Sequence, residues 1–483
     1  MLPNTSSPQP IRATFTLLGF AATLGLAGCA LQPDYAQPAL AGPVTWSALS
    51  AKPGNTISDQ WWRALHDPAI DAFVDTAFAD NPTLAQAVAR LDEARATLGV
   101  NAAARTPRVT AGAGVTRTQS ASTGVPGATS RSTTANAGPS LEWEVDLFGR
   151  IRNSVRAAQD RLDARTADAA EARLTLAGDV ADGVLSLRAC ENARAVLVDD
   201  IASREQTLAL TRRRIATGFA APVDEARAMS GIATVRTSLA SQQEQCTRQV
   251  NALVALSGKD AGAVRQLVGA SGAAVAYMPQ APATVPALPA TVLASHPNVV
   301  SADREAAAAW ADIAVARANR LPRLDVAAVL TGQWIRAAGS TLDFTTWSVG
   351  PSLAGTLFDG GAGEANVSAA EARYRRAAAS LQGTLRSTVQ EVENALAAQA
   401  SAQARIDSTR AAASAARITL DATEVQWKAG SVSLFELEDS RRQFASAQDA
   451  EISARRDHAQ AWVALVKATG GAIIPTSESL NHE

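Results

Sequence analysis

A mainly α-helical chain, built twice over and carrying strands suited to a transmembrane β-barrel, is the fold that the sequence predicts. Three observations carry it. Landmarks recur at one spacing, long stretches lack proline, and four short runs alternate apolar with polar residues. The first indicates duplication, the second indicates long helices, and the third gives the period of two that belongs to strands.

The bulk numbers fit a thin helical framework. The 483 residues carry a net charge of −2, and only 5% are aromatic. A balanced charge gives no footprint for nucleic acid. Few aromatics and abundant alanine suit closely packed helices better than a thick globular core.

The chain opens with Arg12, an apolar run over 13–27 and Leu26-Ala27-Gly28-Cys29. Basic, apolar and small-residue parts in this order make a signal peptide over 1–28. The ending resembles a bacterial lipobox, which implies a lipidated Cys29. Ala30 follows it, and in lipoproteins that favours the outer membrane over inner-membrane retention. Residues 29–58, rich in Pro, Ala and Gly, are expected to form an extended tether. No later apolar run reaches the length of a membrane span, so any spanning part must be β.

The duplication places the remaining elements. Asn81-Pro82 recurs as His296-Pro297, Pro107 as Pro322, Gly138-Pro139 as Gly350-Pro351, Phe148 as Phe358, Gly218 as Gly430 and Gly258 as Gly470. The offsets lie between 210 and 215, so the repeat is close to 210 residues. The first repeat is assigned to 59–260 and the second to 295–471, with a linker over 261–294 and a tail over 472–483. Each repeat predicts a helix, two strands, a very long helix, a glycine turn and a returning helix. The first helices are expected over 82–104 and 302–319. Strands are expected near 108–118, 138–148, 323–334 and 345–358. In "GPSLEWEVDLFGR", Pro139, Leu141, Trp143, Val145 and Leu147 oppose Ser140, Glu142, Glu144 and Asp146. The long helices are expected over 150–217 and 363–429, and the returns over 221–257 and 433–469. Leu176, Val180, Val184 and Leu187 mark an apolar stripe in the first; Leu381, Leu385, Val389, Val392 and Leu396 mark one in the second. A mostly polar helix of that length must pack laterally on others. Four strands cannot close a barrel, and an open sheet in lipid leaves unpaired edges, so other copies must complete it.

The lipobox, "WWRALHDPAIDAFVDTAFADNPTLAQAVARLDEAR", the "DLFGR" turn and the "LFDGG" turn together resemble the outer-membrane efflux factor (TolC-like) family, the channel lipoproteins of resistance–nodulation–division pumps. The resemblance covers residues 29 to about 471. It implies a homotrimer whose twelve-stranded β-barrel continues into a long periplasmic α-helical barrel. It also implies docking to a periplasmic membrane-fusion adaptor and an inner-membrane resistance–nodulation–division transporter. The same duct could serve type I protein secretion or heavy-metal efflux. A lipid-anchored coiled-coil scaffold without a pore is the reading from another class.

The chemistry fits a passive duct. Four scattered histidines have no ligand-spaced neighbours, and no P-loop, Gly-x-Ser-x-Gly or zinc motif occurs. No enzyme and no cofactor are expected beyond the lipid on Cys29. By its position after Gly430, Asp439 matches the family's tip aspartate, Phe435 its apolar gate residue and Arg442 its tip arginine. Asp224 matches the salt-bridging aspartate, but its arginine partner falls at Gln426 and the usual tyrosine at Trp427. The latch is then either absent or made by Lys428 or Arg213. Asp224 also stands in the first turn of a helix after Pro222, where the dipole favours a carboxylate anyway. Glu142, Glu144, Asp146 and Asp325 are expected to charge the lumen negatively, with Arg117 as an offset. Cys190 and Cys246 stand 28 residues either side of Gly218. In a hairpin turning there they are level, and an oxidising compartment favours a disulfide. Trp61 and Trp62 are expected to pack the start of the first helix.

Overall fold

A computed structural model describes residues 34–37, 42–47, 60–121, 129–270, 277–282, 284–337, 339–471 and 473–475. The leader, Cys29 and most of the tether lie outside the described residues. After a short 3-10 helix at Trp61–Leu65, the order is α1 (Pro68–Asp80), α2 (Pro82–Ala103), β1 (Arg108–Ala121), β2 (Thr129–Val145), α3 (Arg150–Ala216), α4 (Pro222–Ser257), α5 (Ala261–Ala270), β3 (Thr284–Pro286), α6 (Pro289–Ser295), α7 (Pro297–Ala318), β4 (Arg323–Ala337), β5 (Ser340–Ala354), α8 (Ala362–Ala429), α9 (Leu434–Ala468) and β6 (Ile473–Pro475). The duplication is visible directly: α2 and α7, α3 and α8, and α4 and α9 are matched pairs. None of the described helices is long and apolar enough to cross a membrane.

The chain divides into two compact units. The first holds 1–38, 92–163 and 303–379. Its centre is an antiparallel sheet in the order β1-β2-β4-β5. The ladder between β2 and β4 skips Gly138 and Pro139. Proline has no N–H to give, and a Cβ on Gly138 would collide with the carbonyl of Leu330. The helical parts of this unit are joined by Arg317–Glu371 at 2.8 Å, by the Trp310–Tyr374 ring pair at 4.9 Å and by Ser154 donating to Asn101 at 2.7 Å.

The second unit holds 39–91, 164–302 and 380–483. Its main core joins Trp61, Trp62, Phe73, the Leu176–Val180–Val184–Leu187 stripe, Val250, Leu253, Val392, Leu396 and Trp462. Trp61 meets Trp462 at 5.7 Å and Trp62 meets Phe78 at 5.5 Å, both edge-on, the geometry aromatic rings prefer. Beneath them Arg188 forks onto Asp67 at 2.6 and 2.8 Å, with both side chains essentially buried. Asp67 also caps α1 by accepting from the Ala69 amide at 2.9 Å.

Several boundaries differ from expectation. The second repeat's first helix starts at Pro297, five residues before 302. Proline is favoured at that first position, and His296 Nδ1 accepts from the Asn298 amide at 3.2 Å. The linker over 261–294 contains α5, β3 and part of α6, and residues 473–475 of the expected tail pair with 284–286. Strand β2 begins at Thr129 and ends at Val145 rather than spanning 138–148, and β5 spans 340–354 rather than 345–358. Leu147, Phe148, Leu357 and Phe358 therefore lie in turns, not on strand faces.

Candidate functional site

Two regions concentrate the features of a channel: the sheet, and the helical turns at the ends of the two hairpins.

The sheet's register sorts its residues into two faces. Val109 opposes Leu141, Leu141 opposes Ala328, and Ala328 opposes Val349. Trp143 opposes Val326, Val326 opposes Pro351, and Leu330 opposes Trp347. One face is therefore apolar across all four strands, and it is open: Trp347 is 74% exposed and Leu353 67%. Along β4 it runs from Leu324 to Trp334, ten steps or about 33 Å, which at the usual barrel tilt gives a band about 25 Å tall. The opposite face carries Thr110, Ser140, Glu142, Glu144 and Asp325, with Glu144 directly across from Asp325.

Two of the expected lumen charges are engaged elsewhere. Asp146 lies one residue beyond β2 and accepts from the Ile151 and Arg152 amides at 3.0 and 2.8 Å. It stabilises the positive end of α3. Glu144 keeps its face but is held by Arg150 in a two-pronged pair at 2.8 and 2.6 Å. Arg117 shares a face with Val115, opposite the carboxylates, so it offsets none of them.

The hairpin turns are built alike. Gly218 (φ 79°) and Gly430 (φ 78°) occupy the left-handed region that glycine tolerates. Phe219 N donates to Arg214 O at 2.8 Å and Gly218 N to Ile215 O at 3.0 Å; Ser431 N donates to Gln426 O and Gly430 N to Trp427 O, each at 3.0 Å. Both turns thus close with the same paired helix-ending bonds. Pro222 restarts the first hairpin and Ser433, accepting from the Glu436 amide at 3.3 Å, restarts the second.

Contacts between the hairpins differ from the expected latch. Asp224 lies 3.6 Å from Arg227 on its own helix, and Lys428 from Glu424 at 3.8 Å. The cation that crosses is Arg214. Its Nη2 donates to the carbonyls of Trp427 at 3.0 Å and Lys428 at 2.5 Å, and its guanidinium lies 4.7 Å over the Trp427 ring. These carbonyls belong to the last turn of α8, where the macrodipole is negative and backbone acceptors lack helical partners. Neither Lys428 nor Arg213 makes this contact.

A second contact lies deeper. Arg441, 3% exposed, donates to Ser203 Oγ at 2.9 Å and Thr207 Oγ1 at 2.8 Å on α3 and pairs with Glu438 at 3.2 Å. Arg204 on α3 pairs with Asp200 at 2.9 Å and reaches Glu438. Burial, then the like charge of Arg204, push the Arg441 guanidinium below the usual arginine range, against Glu424 and Asp200. The expected tip arginine, Arg442, is instead exposed and pairs with Asp439 one turn away. Asp439 also accepts from Gln443 at 2.6 Å, while Phe435 is 68% exposed. The sequence pattern missed Arg214, Arg204, Glu438 and Arg441. A single residue, about 100° of helical phase, separates the buried Arg441 from its exposed neighbour Arg442, and only packing reveals which is which.

Cys190 and Cys246 are joined, with Cα atoms 5.5 Å apart, linking α3 to α4. That separation is the ordinary one for a disulfide. Among the described residues no cluster of metal-ligating side chains occurs.

The sequence matches the outer membrane efflux protein family over residues 73–259 and 288–471. It is 28% identical to the outer membrane protein OprJ of Pseudomonas aeruginosa over 93% of this chain and 94% of that one. It is 27% identical to the pyoverdine export outer membrane protein OpmQ of the same species, over 93% and 95%. Among solved structures, the outer-membrane channel OprN superposes with a TM-score of 0.79 at 26% identity, over 92% of this chain and 99% of that one.

Proposed function

The chain belongs to the outer membrane efflux protein family, and we propose that it is the passive outer-membrane duct of a tripartite efflux system. One observation carries this reading: a four-stranded sheet whose apolar face and both outer strands, β1 and β5, have no partner among the described residues. Unpaired strand edges in lipid cost several kcal/mol per group, so the sheet calls for completion by further copies. Three copies supply twelve strands, an even number of the size that such barrels use. The apolar band meets lipid and the carboxylate face meets water. Cys29 carries the lipid anchor. A periplasmic adaptor and an inner-membrane resistance–nodulation–division transporter supply the docking and the energy that a duct without catalytic groups lacks.

Control resides in the hairpin turns. Arg214 ties the first hairpin to the open end of α8, and Arg441 and Arg204 tie the second back to α3. Opening separates the hairpins and breaks these contacts. Asp439, Asp224, Phe435 and Arg442 line the entrance rather than form the tie. Glu142 and Asp325 supply the remaining negative charge of the lumen face, since Glu144 is neutralised by Arg150, and Arg108, directly across from Glu142, offsets part of it. Reconstitution in planar lipid bilayers tests the reading. The purified, lipidated protein is expected to run as a heat-dissociable oligomer and to give discrete ion-conducting steps. A water-soluble species without conductance after removal of the lipid would contradict it.

A further inference from the structure

The distal halves of the strands carry a charge pattern that a simple lipid-facing surface does not need. Beyond the apolar band, Arg117, Arg131 and Arg336 all fall on the same face as Val115, Trp334 and Trp347. Arg117 and Arg336 both oppose Thr133, one from each side. They stand two strands apart, about 9–10 Å. Arg131, two residues along β2, is the diagonal neighbour of both at about 7–8 Å. The other face of the distal strands holds Thr116, Thr118, Ser132, Thr134, Gln333 and Thr346, with no charge. Asp343, opposite Trp334, is the one acidic residue of the apolar face and lies a row nearer the band.

All three arginines are exposed. Arg131 donates to Gln119 at 2.9 Å. Arg117 and Arg336 make no ion pair or hydrogen bond among the described residues. Three guanidinium groups, two of them unpaired among the described residues and the third engaged only through its Nε, stand on an outward face just above a band that matches the hydrocarbon thickness, at headgroup height. Planar forks of this kind match phosphate oxygens two at a time.

We propose that Arg117, Arg131 and Arg336 form a binding site for the phosphate groups of an outer-leaflet glycolipid. The inference rests on the reading of the apolar face as lipid-facing. In an oligomer each copy presents one such triad, so a ring of phosphate contacts surrounds the distal rim.

The test is native mass spectrometry of the full chain in mild detergent, with lipid A as probe beside its dephosphorylated form, phosphatidylglycerol and inorganic phosphate. Wild type is expected to retain lipid A at least about tenfold better than the dephosphorylated form, and R117Q/R131Q/R336Q to fall to the dephosphorylated level. Equal lipid A retention by wild type and an assembled triple variant overturns the proposal. Equal retention of phosphatidylglycerol by wild type overturns the glycolipid as the occupant, and inorganic phosphate binding alone reduces the site to a simple anion site. Should the triple variant fail to assemble, R117Q and R336Q decide separately: each is expected to lower retention about threefold, and unchanged retention in both overturns the site. Quenching of Trp334 and Trp347 fluorescence by brominated lipids reports independently on the face. If wild type shows none, the lipid-facing reading has failed; if quenching persists while lipid A binding does not depend on the arginines, only the phosphate site has failed.

Discussion

The two helical hairpins end in the same glycine turn but are fastened differently. The first, α3 with α4, is stapled by Cys190–Cys246 and closes its last turn with its own backbone and with Thr217, which donates to Arg213 O at 3.0 Å. The second, α8 with α9, has no cysteines; it closes with the same backbone bonds and with Ser431, whose hydroxyl donates to Gln426 O at 2.9 Å, and the carbonyls of Trp427 and Lys428 accept in addition from Arg214 of the first. Its buried Arg441 likewise finds its partners on α3. Duplication therefore produced two copies of one shape with unequal roles. The first hairpin is internally fixed and reaches across; the second depends on what the first provides. A moving part next to a fixed one is what a gate requires, so on the proposed reading the motion is expected in α8 and α9.

The largest expected effect comes from removing the buried tie. Arg441→Ala leaves Glu438 facing Arg204 alone and strips Ser203 and Thr207 of their donor. Losing one member of a buried charged network costs about 3–5 kcal/mol. Thermal unfolding should fall accordingly, and the entrance should conduct more. Retained stability would mean that the second hairpin does not lean on α3.

Next comes the staple. Cys190→Ser with Cys246→Ser is expected to cost about 2–4 kcal/mol, and wild type under reductant should behave alike. If the protein is indifferent to reductant in calorimetry, the first hairpin is not the covalently fixed member.

A smaller, pH-dependent effect sits on the same helix α3. Asp182 is largely buried and its Oδ1 has no hydrogen-bond partner. Burial pushes its carboxyl up to about 7, aided by Asp179 and opposed by Lys467. A carboxyl whose folded pKa is raised binds its proton more tightly when folded, so its contribution weakens as pH rises from about 4 to about 7. Wild type should lose thermal stability across that window, and Asp182→Asn should flatten the loss. An equal slope in both would remove Asp182 from the account.

Much of this was legible in the sequence, for physical reasons that differ by element. The repeat was visible because glycine at positive φ and proline at a helix start are positions few residues can fill, so Gly218 and Gly430 mark the turns. The apolar face of the sheet followed from alternation alone. The same alternation misled at "VDLF": Asp146 continues the pattern in sequence, yet the chain leaves the strand at Val145 and the carboxylate turns to the amides of α3. The linker helix Ala261–Ala270 went unseen because its surroundings are rich in proline and glycine. The ties between hairpins could not be read at all. Arg214 and Trp427 are 213 positions apart, and a guanidinium that caps a distant helix through backbone carbonyls leaves no mark on the residues it caps.

The central claim is that the first hairpin holds the second shut through Arg214. Single-channel conductance of Arg214→Ala beside wild type tests it most directly. The account predicts a conductance several-fold above wild type, with Arg214→Lys restoring little because an ammonium lacks the planar fork and the stacking on Trp427. A wild-type trace from an assembled Arg214→Ala oligomer would contradict it.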